Sequence, residues 1–138
     1  MPSPDEIITR PTVHDVLGVE IVEASPDRVV LRVEVGPRVH QPYGILHGGV
    51  SALLAEGAAS LGGGLSVAPD GYVVGTELNI SHLRAVSEGA VSATATPIRK
   101  GRQVQVWGID LTDQDGRLIS VARCTLQVLA KVPVGGPS

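Results

Sequence analysis

Across residues 72–129 apolar and polar or small side chains alternate with a period of two, and only residues 48 to about 65 have helical character over any length. A period of two puts successive side chains on opposite faces of a strand, so nearly a third of the chain is committed to sheet by this stretch alone. Four strands are expected, at 72–83, 90–98, 103–112 and 118–129. Their connections, Ser87-Glu88-Gly89, Arg99-Lys100-Gly101 and Asp113-Gln114-Asp115-Gly116, have the length and residue types of hairpin turns. In the last strand Leu118, Ala122, Cys124, Leu126 and Val128 share one apolar face.

The first third is shorter in pattern. Residues 14–17 suit a helical turn that ends at Gly18, and 19–24 a short strand before the turn Ser25-Pro26-Asp27. Residues 28–35 form a half-buried strand, with Val29, Leu31, Val33 and Val35 on one face and Arg28, Arg32 and Glu34 on the other. The helical segment, GVSALLAEGAASLGGGL, is small or apolar on nearly every side and is therefore expected in the core. Gly62-Gly63-Gly64 is expected to end it, because glycines are poor helix formers and good C-caps. One helix can cover the apolar face of a six-stranded sheet only if the sheet curls around it. The expected fold is thus α+β of the hotdog kind, a curved antiparallel sheet of about six strands wrapped around one long buried helix. Its 138 residues form one domain, with the core at about 12–131 and the tail 132–138 expected to be disordered.

Composition removes several classes of function. A formal charge of −3 and only Trp107, Tyr43 and Tyr72 as aromatics argue against nucleic acid as a partner. Cys124 is the single cysteine, so neither an intrachain disulfide framework nor a cysteine-rich zinc site is available. His40 and His47 lack the spacing of a metal motif, and no metal is expected. No apolar run is expected to approach the roughly 20 residues needed to span a bilayer, the start MPSPDEIITRP is not of the secretory type, and a cytoplasmic protein is expected.

Three features could carry chemistry. Glu56 sits in the middle of the Ala/Leu/Gly helix, where a buried carboxylate without a partner would cost several kcal/mol or take up a proton. It either faces solvent or an arginine, or it serves a reaction; Ser60, one turn on, lies on the same side. Second, Gln41-Pro42-Tyr43-Gly44-Ile45-Leu46-His47-Gly48-Gly49 ends where the helix begins. Gly48 and Gly49 leave the first N–H groups uncovered, which suits either an anion, or a carbonyl oxygen becoming one, or simply close packing. Third, His82 and Arg84, then Arg99, Lys100 and Arg102, fall on strand ends and a turn, as a phosphate site or a solvated edge would have them.

Taken together, the pattern HGG…E…S within one buried helix ahead of four strands resembles the hotdog-fold acyl-CoA thioesterases. The branch it resembles most includes the phenylacetate-pathway, 4-hydroxybenzoyl-CoA and 1,4-dihydroxy-2-naphthoyl-CoA hydrolases. The resemblance spans roughly residues 19–129 and is carried by QPYGILHGGVSALLAEGAAS, with support from VVGTELNISHLR and RKGRQVQVWGIDLTDQDGRLIS. It implies hydrolysis of a small, aromatic acyl-CoA, with Glu56 as nucleophile or general base and the Gly48 amide as oxyanion donor. Gln41 would orient the thioester or the water, Ser60 would assist Glu56, and His47 would contact the thioester end. His82, Arg84, Arg99, Lys100 and Arg102 would hold the CoA moiety, which belongs to the substrate, so no separate cofactor is expected. The branch with an Asp nucleophile before the helix is not matched, since no Asp lies between Asp27 and Asp70. An acyl-CoA-binding domain without catalysis and a hotdog hydratase or dehydratase are the rival expectations.

Helix geometry adds a requirement. Gly48 and Glu56 are eight residues apart, about 12 Å along a helix axis, yet oxyanion donor and nucleophile must both come within about 3 Å of one carbonyl group. Two antiparallel helices related by a two-fold axis would meet this, with Gly48 of one chain beside Glu56 of the other. A homodimer with shared active sites is expected, with two dimers pairing into a homotetramer.

Overall fold

The computed structural model describes residues 11–131; the expectations for the first ten residues and for the tail 132–138 lie outside them. The elements run α1 (Val13–Val16), β1 (Glu20–Ser25), β2 (Arg28–Val35), a 3-10 turn at Pro37–Val39, α2 (Gly48–Val67), β3 (Gly71–His82), β4 (Gly89–Lys100), β5 (Val104–Asp113) and β6 (Leu118–Ala130). All pairings are antiparallel, in the order β1-β2-β4-β5-β6-β3, and every one of these strands packs against α2. The sheet curls around the helix as the apolar pattern requires. Val29, Leu31 and Val33 of β2, Ala93 and Ala95 of β4, Ile109 and Leu111 of β5, and Cys124 and Leu126 of β6 close over Leu54, Ala55, Ala58 and Ala59 of α2.

The sheet order corrects one expectation. Ser87-Glu88-Gly89 is not a hairpin, because β3 pairs with β6 from Gly71↔Ala130 to His82↔Ser120 while β4 lies between β2 and β5. The chain between β3 and β4 instead crosses to the start of α2. There the Leu46 N–H donates to the Val86 carbonyl (2.7 Å) and the Ser87 carbonyl accepts from His40 Nε2 (2.9 Å). A register shift where Leu111 and Thr112 meet β6 corrects another: Ile119 enters the core and Leu118 is exposed.

The glycine triplet does not end the helix. α2 runs on to Val67 and stops before Pro69, which disfavours helical backbone at the residue ahead of it. The glycines instead let the sheet approach the helix. A methyl group at Gly62 would sit 2.5 Å from Trp107, and one at Gly63 would sit 2.5 Å from Leu126. A buried chain of hydrogen bonds joins the same surfaces: Trp107 Nε1 donates to Gln105 Oε1 (2.9 Å), Gln105 Nε2 to Ser66 Oγ (2.9 Å), and Ser66 Oγ to the Gly63 carbonyl (2.7 Å). Contrary to expectation, α2 is long and apolar enough to cross a membrane by length and composition. Here its apolar character serves the core, where much of it is buried by the sheet.

At the other end, α1 is a single turn closed by a capping box. Thr12 Oγ1 accepts from the His14 N–H (3.2 Å), and Asp15 Oδ2 from the Thr12 N–H (2.6 Å). It lies over the middle of α2: His14 packs so closely on Gly57 that a methyl group there would be 2.2 Å from Nε2.

Candidate active site

The start of α2 is the first half of the site. Of the first N–H groups, which lack an i→i−4 partner, that of His47 donates to the Val39 carbonyl (2.9 Å), that of Gly49 to His47 Nδ1 (2.8 Å) and that of Val50 to the His47 carbonyl (2.9 Å). The Gly48 N–H has no acceptor among the described residues. Because His47 Nδ1 accepts the Gly49 proton, His47 is held with its own proton on Nε2. The preceding loop folds back on itself, with Gln41 N–H donating to the Ile45 carbonyl (2.8 Å) and Gly44 N–H to the Gln41 carbonyl (3.0 Å). Gly44 takes a φ of +77° there, which glycine adopts without strain. Gln41 Oε1 accepts from the Tyr43 N–H, leaving the Gln41 amide hydrogens as the free donors of that side chain.

Gln41 and Gly48 open on one cavity of about 380 Å³, together with His82, Arg84, Ser51 and Ser120. His82 was expected only among the residues that hold CoA. The structure puts its ring against the glycine: a methyl group at Gly48 would lie 2.7 Å from His82 Nε2. His82 Nδ1 is 3.0 Å from the hydroxyl of Ser120, a residue 2% exposed. Neither contact was legible in the sequence, since the register of β3 on β6 brings position 82 opposite position 120.

Glu56 and Ser60 lie elsewhere. They share a groove of about 460 Å³ with Gly49, Leu53, Gly57, Leu78 and the α1 residues Val13 and His14. Glu56 is exposed in the single chain, and its carboxyl rests over Gly75 of β3, where the ladder is interrupted by a bulge. A glycine inside a strand pattern signals a close approach of this kind, and Gly75 was the available clue. Burial holds His14 below its usual range, with the Leu53 carbonyl and the Asp15 carboxylate pulling it the other way. Burial, with Glu56 adding its negative charge, pushes the Cys124 thiol up to about 11, so the single cysteine is not a ready nucleophile.

The basic residues divide in the same manner. Arg84 belongs to the Gln41–Gly48 cavity, whereas Arg99 and Arg102 line a separate hollow of about 500 Å³ at the β4–β5 turn. Lys100 departs from the expected group. Its ammonium donates to Asp27 Oδ1 (2.6 Å) and to the Pro26 carbonyl (3.1 Å), so its charge is already neutralised on the β1–β2 turn. Among the described residues no three His, Cys, Asp or Glu side chains converge to hold a metal ion. One helix thus presents an uncovered N–H donor in one cavity and a carboxylate in another, with the two separated along its axis.

Comparison with known proteins places this geometry. The model of the thioesterase superfamily matches residues 43–120. The chain is 45% identical over 118 residues to a 1,4-dihydroxy-2-naphthoyl-CoA hydrolase of Listeria monocytogenes, covering 86% of this chain and 96% of that protein. It is 41% identical over 118 residues to the proofreading thioesterase EntH of Cronobacter turicensis, covering 86% of each. The crystal structure of a thioesterase from Haemophilus influenzae superimposes with a TM-score of 0.88 at 37% identity, covering 99% of this chain and 96% of the other.

Proposed function

The chain belongs to the thioesterase superfamily, and from that premise we propose that it hydrolyses the thioester of a small aromatic acyl-CoA to the free acid and CoA. The observation that carries this reading is the uncovered Gly48 N–H beside the Gln41 amide, on the same helix as an accessible carboxylate. The Listeria relative acts on an aromatic acyl-CoA, and the groove around Glu56 is walled by Leu53, Leu78 and Val13, which suit an apolar ring.

In the reaction, the Glu56 carboxylate attacks the thioester carbonyl, or takes the proton from a water that does so. The carbonyl oxygen becomes an oxyanion and is met by the Gly48 N–H at the positive end of the helix, where Gln41 offers a second donor. The C–S bond then breaks and CoA leaves as a thiolate that picks up a proton, leaving the free acid where water attacked or an acyl anhydride on Glu56 where the carboxylate did. If the route is covalent, water hydrolyses the Glu56 anhydride in a second step. Ser60 can hold that water or the carboxylate, and His47 presents Nε2–H at the thioester end.

Gly48 and Glu56 of one helix cannot reach one carbonyl, so the working unit in this reading is a homodimer. Among the described residues β3 ends the sheet and pairs only with β6, which leaves its outer edge for β3 of a second copy. That pairing would lay the two helices antiparallel and bring Gly48 of one protomer to Glu56 of its partner. Two such dimers would pair into a homotetramer, covering exposed apolar side chains such as Val22 and Ile98. Arg84 holds the phosphates nearest the thioester, and Arg99 and Arg102 those further along CoA. A cytoplasmic setting, where CoA esters are made and used, fits a chain with one buried free cysteine.

The test is the release of thiol from benzoyl-CoA, followed with a thiol reagent, for the unmodified protein and for Glu56→Gln. The unmodified protein is expected to turn over and the variant to lose at least ~10²-fold in kcat while staying folded. Binding of acyl-CoA with no thiol release would turn the assignment toward a binding domain. Full turnover by the variant would remove Glu56 from the reaction.

A further inference from the structure

Ser120 is almost completely buried, at 2% exposure, and its hydroxyl has His82 Nδ1 as its one partner among the described residues, at 3.0 Å. A hydroxyl carries a single proton and a neutral imidazole carries one proton on either of two nitrogens, so the pair has two arrangements. If Nδ1 held the proton, it would donate to Ser120 Oγ, and the buried Ser120 proton would have no acceptor. That is an expensive state for a group shut off from water. If Nε2 holds the proton, Ser120 donates to Nδ1 and both are satisfied, in a ring that lines the cavity. The second arrangement is favoured, and Nε2 is the ring atom that lies against Gly48.

We infer that Ser120 is a positioning residue: it fixes the Nε2–H tautomer of His82 and aims that proton at the oxyanion beside the Gly48 N–H. The inference rests on the thioesterase reading of this cavity and adds to it a donor held by a side chain of the neighbouring strand. β3 and β6 supply the rigidity. Ser120 and His82 are directly opposite each other at the end of the ladder, so the hydroxyl and the ring are placed by backbone pairing rather than by a loop. The Leu83 and Arg84 N–H groups both reach the Ile119 carbonyl (2.7 and 3.2 Å), which holds the strand end in register just beyond the pair.

Two measurements test this. The first reads the tautomer directly, from the ring ¹⁵N shifts of His82 in long-range ¹H–¹⁵N spectra of the unmodified protein. The expected result is a protonated Nε2 and a hydrogen-bonded, unprotonated Nδ1, with Ser120→Ala shifting the ring toward a mixture. The second is a double-mutant cycle on benzoyl-CoA hydrolysis. Ser120→Ala is expected to lower kcat about 10-fold with little change in KM, His82→Ala to lower it about 10²-fold, and the double variant to be no worse than His82→Ala alone. Ser120→Cys, which keeps a weak donor of similar size, is expected to recover part of the loss. An Nδ1–H tautomer in the unmodified protein would overturn the inference, as would equal losses from Ser120→Ala with and without His82. If Ser120→Ala does not fold, the tautomer in the unmodified protein still decides. The Glu56→Gln result is independent of that spectrum, so failure of the thioesterase reading and failure of this one are distinguishable.

Discussion

The carboxyl group of Glu56 lies directly over Gly75: a methyl group at position 75 would come within 3.0 Å of both Cδ and Oε2 of the glutamate. The contact is between the helix and the bulged middle of the edge strand, and it sets where the carboxylate can stand. Gly75→Ala is expected to fold normally, because the flexible end of Glu56 can swing aside. A displacement of about 1 Å at a reacting group costs one to two orders of magnitude in rate, so kcat should fall about 10-fold or more while KM changes little. Steady-state kinetics on benzoyl-CoA check this, and an unchanged kcat would show that the position of Glu56 over the strand is immaterial.

The division of the site between two cavities predicts complementation. Gln41→Ala and Glu56→Ala homodimers are each expected to be nearly inactive. Unfolded and refolded together in equal amounts, about half the dimers should be mixed, and each mixed dimer holds one site with every residue intact. Activity should then return to roughly a quarter of the unmodified level, a value set by random pairing about a two-fold axis. A fully refolded, fully paired mixture that stays inactive would confine the site to one chain.

Arg84, beside the Gln41–Gly48 cavity, and Arg102 and Lys100, at the β4–β5 turn, should separate by kinetics. Arg84→Ala and Arg102→Ala are expected to raise KM for the CoA ester several-fold more than they lower kcat, because distant phosphate contacts contribute uniform binding. Lys100→Ala, whose charge is held by Asp27, should leave KM nearly unchanged. Equal effects at Lys100 and Arg102 would place the phosphates over the whole turn.

The glycine triplet makes a stability prediction with an unusual sign. Gly→Ala inside a helix ordinarily stabilises by roughly 1 kcal/mol. At Gly62 the added methyl would meet the Trp107 ring at 2.5 Å, and overpacking a filled core costs typically about 1–3 kcal/mol. Gly62→Ala should therefore lower Tm in thermal unfolding. A rise in Tm would mean that the indole can move away at little cost.

Local pattern alone determined a good deal of this protein. Period-two alternation identified every strand from β2 to β6 within a few residues, and the mostly small and apolar character of α2 placed it in the core. Glu56 stood out because a carboxylate is costly in such a helix, and Gly48 because it begins that helix uncovered. These are properties of near neighbours along the chain, where the period of side chains and the needs of helix ends act directly.

Tertiary structure decided the rest. Whether Gly62-Gly63-Gly64 stops a helix or admits Trp107 and Leu126 depends on what packs against it, and propensity yields where burial on both sides is to be gained. The same holds for β3: hairpin-like residues after His82 said nothing of a strand that crosses to the far edge and pairs with β6. That crossing brings Ser120 to His82 and Gly75 to Glu56, pairs 38 and 19 positions apart in the chain. Lys100, apparently one of a basic cluster, is drawn to Asp27 by the register of β2 on β4. Contacts of this length are set by which edges of the sheet can be paired and covered at once, a condition on the whole chain that no short stretch of it contains.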